Sequence, residues 1–116
     1  MSEELNRFMA EKVMGWETKD VYDGHYWIYL SGTEKHIQHI KEANGEWFAP
    51  SSYWTPTTDM NQAMMCVEKF GRKFGLTLYE ESMTWLVDLP EFEIDVENES
   101  APLAICQAIK EALNEV

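Results

Sequence analysis

Trp54-Thr-Pro-Thr-Thr-Asp-Met-Asn-Gln-Ala-Met-Met-Cys-Val-Glu-Lys-Phe70 decides the fold class of this chain. A proline turn beside an aromatic ring passes directly into a segment of helical periodicity. Asp59, with Gln62 three residues on, forms a capping-box variant, and Thr57 or Thr58 is an alternative cap. Met60, Ala63, Met64, Val67 and Phe70 recur at helical spacing and predict one apolar stripe. Gly71 or Gly75 ends the helix, since glycine takes up the left-handed cap conformation freely.

Upstream, Ser2 is a suitable N-cap, with Glu3 and Glu4 facing the positive end of the helix dipole. Leu5, Phe8, Met9 and Val13 give a helix over Glu3–Met14, closed by Gly15, with Trp16 placed for the capping contact. Residues 17–24 are polar and end in the turn signal Asp23-Gly24. His25–Leu30 is aromatic and apolar on both faces, which predicts a central strand. Ser31-Gly32-Thr33 turns the chain. Glu34–Ala43 favours a strand, Asn44-Gly45 signals a hairpin, and Glu46–Ala49 is the return strand. Pro50–Pro56 is an irregular aromatic loop.

Downstream, Leu76–Glu80 and Met83–Leu89 predict strands joined through Glu81-Ser82. After Pro90, Phe92, Ile94 and Val96 alternate with Glu91, Glu93, Asp95 and Glu97. That period of two marks a strand with one wet face, suited to a sheet edge. Ser100 caps a last helix whose apolar face is Ile105, Cys106, Ile109, Ala112 and Leu113. The elements imply an α+β fold, αβα sandwich-like, with three helices packed on a mainly antiparallel sheet of about four to six strands. Their order is α-β(β)(β)-α-β-β-β-α, and residues 1–116 are expected to form a single domain.

The blocks from Leu5-Asn6-Arg7 through Ala10–Trp16, around Trp54, Pro56, Thr58-Asp59 and Ala63–Phe70, and over Ala101–Ile109 resemble the phage ABA-sandwich domain family. They cover all three helices and a little under half of the chain; the strands between match only in pattern. The resemblance implies a small phage or prophage protein with helices on both faces of a sheet. It implies no activity and no catalytic residue.

The 116 residues carry a net charge of −12. Residues 1–75 hold 11 acids against 8 bases, a net −3, while residues 76–116 hold 10 acids against Lys110 alone, a net −9. Binding a phosphate backbone requires clustered lysine and arginine, so direct nucleic-acid binding is not expected. No apolar run approaches the roughly 18 residues of a membrane span, and no signal segment opens the chain. The expected location is the cytoplasm of a bacterial host. Cys66 and Cys106 fall on apolar helix faces and are expected to be buried free thiols.

His36 and His39 share a face only if their segment is helical, and as a strand they diverge, so no metal site is expected. Glu93, Asp95 and Glu97 on one strand face suggest weak cation binding or, more economically, an edge guarded by like charge. The chain has no Gly-x-Ser-x-Gly elbow, phosphate loop or dinucleotide fingerprint, so no enzyme and no cofactor are expected. Trp47, Phe48, Tyr53 and Trp54 surround a loop, where large rings suit partner contacts or a ligand pocket, or where Trp54 and Phe48 equally well close the sheet over the second helix. The expected function is therefore that of an acidic protein-interaction module. The acidic meander from Glu80 to Glu99, with Glu91, Glu93, Asp95 and Glu97 as its binding residues, would contact a basic host or phage protein. The alternative is a small-molecule binder with an aromatic pocket at Trp47, Tyr53 and Trp54.

Overall fold

The computed structural model describes residues 2–20, 26–30, 40–41 and 47–114. Asp23-Gly24, His25, Ser31-Gly32-Thr33, His36, His39 and Asn44-Gly45 lie outside the described residues, so the metal reading and the hairpin turn fall there.

Helix α1 (Ser2–Phe8) widens into a π-helical turn over Met9–Val13, where a single α-helix through Met14 was expected. The Met14 N–H donates to Met9 O at 3.0 Å, and Gly15 takes φ +74°. Trp16 N–H then reaches back to Ala10 O at 2.9 Å and the ring is buried, as the capping contact requires.

Strand β1 (Glu17–Asp20) was not legible, because Glu-Thr-Lys-Asp has no apolar alternation. Its pairing partner is β2 (Tyr26–Leu30), and Arg7 ties it to α1. The Arg7 guanidinium donates to Thr18 Oγ1 at 3.0 and 3.1 Å and to Asp20 Oδ1 at 2.5 Å. Glu11 accepts from both Arg7 and the Thr18 hydroxyl. Arg7 also lies 4.8 Å from the Tyr26 ring centroid. Backbone pairing and this cluster hold a strand that buries little apolar surface.

Strand β2 is central, lying between β1 and β4 (Trp47–Pro50), with β3 (Ile40–Lys41) outside β4. This antiparallel sheet runs β1-β2-β4-β3. A second antiparallel sheet is the meander of β5 (Gly75–Tyr79), β6 (Thr84–Leu89) and β7 (Ile94–Asn98). The strands are thus divided between two sheets instead of one, within an α+β sandwich of three helices. Helix α3 (Ala101–Asn114) packs on β6 and β7, α1 and α2 (Met60–Phe70) pack on α3, and β1 lies against the π turn.

Ser100 caps α3 by accepting from Leu103 N–H at 3.3 Å. Ala101, Ala104, Ala108 and Ala112 are buried with Ile105, Cys106 and Ile109, and such small residues permit close packing. Asp59 caps α2, accepting from Gln62 N–H at 3.2 Å, and Gly71 closes it at φ +69°. The stripe of α2 differs from expectation. Gln62, Ala63 and Cys66 are buried, while Met60 and Met64 stay more than a third exposed. Gln62 leaves the capping-box role because the loop uses its amide: Nε2 donates to Tyr53 O at 2.8 Å and Oε1 accepts from Thr55 N–H at 2.6 Å.

Trp54 is fully buried, where it meets Trp16 edge-on at 4.8 Å between ring centroids. Its indole Nε1 donates to Asn6 O at 2.8 Å, and Asn6 Oδ1 accepts from Thr57 N–H at 3.1 Å. A buried amide left without an acceptor costs about 1–3 kcal/mol. Asn6→Ala should therefore lower stability by about 1–3 kcal/mol, moving the urea midpoint while leaving the m-value unchanged. An unchanged midpoint would show that the loop holds without this bond.

Candidate functional site

The meander has two unlike faces. Val87, Leu89 and Ile94 are buried beneath α3, with Val96 half-buried beside them. The opposite face carries Thr77, Thr84, Leu86, Asp88, Asp95 and Glu97, and among the described residues no helix packs on it. Asp88, on the central strand, stands directly opposite Asp95 on one side and Gly75 on the other. A Cβ at Gly75 would fall 2.1 Å from Asp88 Oδ1. The bare glycine thus leaves space for the Asp88 carboxylate to lean away from Asp95.

Glu97 accepts from the Thr84 hydroxyl at 2.6 Å, and Ser82 shares a 2.7 Å bond with Thr84. Asp95 and Glu97 project from the same face of β7, which is an edge strand as its wet face suggested. The other two expected carboxylates stand elsewhere. Phe92 closes a 3-10 turn over Pro90–Phe92, and Glu93 adopts a left-handed φ of +54°, so the alternating strand begins only at Ile94. Glu91 lies in that turn, 3.9 Å from Arg72, and both are exposed. The row of three acids on one strand face is therefore two, Asp95 and Glu97, joined by Asp88, which spacing within β7 could not reveal. The cross-strand register is the missing signal. No ion pair reaches Asp88, Asp95 or Glu97 among the described residues.

The aromatic loop does not assemble as expected. Tyr53 is 44% exposed, whereas Trp54 belongs to the core, so a surface contact by Trp54 is corrected to a structural role. Its burial follows from the Asn6 acceptor and the Trp16 ring. Trp47 is placed by its backbone in β4, opposite Leu30 and Lys41. Its side chain lies outside the described residues.

Cys66 and Cys106 are buried free thiols on the facing helices α2 and α3. Burial pushes the Cys66 thiol up to about 12 and raises Cys106 further, with Cys66 adding to the effect. Neither forms the thiolate a nucleophile requires at neutral pH. Among the described residues no cluster of three or more metal-binding side chains occurs, and no helix is long and apolar enough to cross a membrane.

The family model described as the phage ABA sandwich domain matches residues 7–109. No curated protein and no solved structure matches the chain.

Two outcomes follow from this geometry. Replacing Asp95 by Asn removes a like charge opposite Asp88 and should stabilise the fold by about 0.2–1 kcal/mol in low salt. The gain should shrink as salt screens the pair, and equal urea midpoints for wild type and variant at low salt would refute the repulsion. The second concerns alkaline pH. The Tyr26 phenol, like the Cys66 thiol, is raised by burial to about 12, from ordinary values of 10.0 and 9.0. Between those values the unfolded chain releases protons that the folded chain retains. The contribution of these two groups is complete below pH 9 and is lost as pH rises toward 12, by about 1.4 kcal/mol per pH unit for a thiol that ionises only on unfolding. Cys66→Ala should flatten the pH dependence of the urea midpoint in that window, and an unchanged slope would count against a buried neutral thiol.

Proposed function

We propose, from the premise that this chain belongs to the phage ABA sandwich domain family, that it is a phage-type binding protein without enzymatic activity. Its acidic sheet face engages a basic protein of the host or the phage. The observation that carries this reading is the Asp88–Asp95 opposition on a face without a helix, where neither carboxylate has a cation partner among the described residues. Like charges placed directly opposite in a sheet oppose folding. A basic surface docking there replaces that repulsion with attraction and accelerates encounter through the field of a chain of net charge −12. The neutral thiols of Cys66 and Cys106 support a role in binding over one in covalent catalysis.

The test compares two variants of equal charge. Asp88→Asn, Asp95→Asn and Glu97→Gln together alter the open face, while Glu3→Gln, Glu17→Gln and Glu68→Gln remove the same charge from exposed positions elsewhere. Capture from phage-infected cells, eluted with rising salt, should yield a basic protein with wild type and with the second variant. The first variant should lose it. Equal capture by both variants would show that bulk charge, and not this face, is responsible.

A further inference from the structure

The free edge of β7 lies beside an open groove of about 590 Å³ between α1 and α3. Leu5, Val96 and Leu103 supply its apolar lining, and Glu4, Gln107, Lys110 and Glu111 its polar lining. Among the described residues strand β7 pairs only with β6, and no backbone bond from outside the sheet reaches Ile94–Asn98. An edge strand with unpaired amides and carbonyls is a template for another strand. We propose that β7 accepts an extended basic peptide segment as an added fourth strand of the meander. This deepens the function proposed above and rests on it, naming the form in which a basic partner binds.

The two faces of β7 specify that peptide. An added strand keeps the alternation of its neighbour, with successive residues on opposite sides of the sheet. A residue beside Val96 points inward, toward Leu5 and Leu103, and requires an aliphatic side chain. Residues beside Asp95 and Glu97 point outward, next to carboxylates, and require lysine or arginine. A second copy of this chain does not satisfy the pattern, because its own outward positions are Asp95 and Glu97 and like charges would face each other. The opposite edge, β5, carries Thr77 and Tyr79 on the same outward face and no acid row, so charge complementarity selects β7.

The probe is the heptapeptide Lys-Val-Lys-Val-Lys-Val-Lys, titrated into the full chain and followed by amide hydrogen exchange. Protection is expected at Ile94–Asn98. Two further peptides carry N-methyl groups on alternate residues in opposite frames. In one frame the methyls face β7 and affinity should fall about tenfold for each pair of hydrogen bonds lost. In the other they face solvent and affinity should be retained. Leu103→Gln, which makes part of the apolar lining polar, should weaken binding about tenfold. Equal binding in both methylated frames, protection at β5 in place of β7, or no binding of the parent peptide would each overturn strand addition. If both frames bind equally and Asp95→Asn with Glu97→Gln abolishes binding, the acidic face works without strand pairing and only this inference falls. If captured partner and heptapeptide both bind that variant as they bind wild type, the proposed function falls too.

Discussion

A fully buried tryptophan must find an acceptor for its indole N–H, and here the requirement joins two ends of the fold. Trp54 donates to the backbone carbonyl of Asn6, and the side chain of the same asparagine accepts from Thr57. A polar group withdrawn from water without a partner costs several times what a made hydrogen bond contributes. The loop after β4 is therefore held against α1 at one geometry. Trp16 supplies the other wall, delivered by the left-handed Gly15 after the widened π turn. Gln62 then fixes the loop from the other side, so the start of α2 is determined from both directions. The small residues of α3 complete the arrangement by letting it pack closely on α2, the helix that carries Cys66.

Much of this was legible because local chemistry and global structure agree. Ser100, Asp59, Gly15 and Gly71 all sit where a cap was expected, since each satisfies a backbone group that any helix end leaves open. The meander and the apolar face of α3 were legible from periodicity alone. What escaped was decided at a distance. The strand Glu17–Asp20 depends on Arg7, which lies a full helix away in the chain. Met60 and Met64 continue the helical spacing of α2 yet remain partly exposed, because α3 and the loop bury the adjoining face through Ala63, Cys66 and Gln62. In its irregular loop Trp54 fitted a partner contact and a ring closing the sheet over α2 equally well. Nothing near it in sequence announces that Asn6 will accept its proton.

The acidic site divides in the same way. Asp95 and Glu97 were legible as outward positions of a strand, since alternation is a local property. Glu93 was misplaced because Pro90 imposes a turn whose left-handed residue resets the alternation. Asp88 lay within the acidic stretch Glu80–Glu99 but was not singled out, because its membership of the acidic face depends on register across β6 and β7.

Asp88 bears on both explanations of the acidic meander. Carboxylates on an edge strand guard it against pairing with other chains, and that alone accounts for Asp95 and Glu97. It does not account for Asp88, which lies on the central strand, where no edge needs protection. There a carboxylate opposite another carboxylate only opposes folding. The sheet accommodates it by placing glycine on the neighbouring strand, at a position where a Cβ would strike the Asp88 side chain. Gly75 in a strand brings its own entropic penalty. Asp88 and Gly75 are thus matched in register across β5 and β6, while edge protection explains only Asp95 and Glu97.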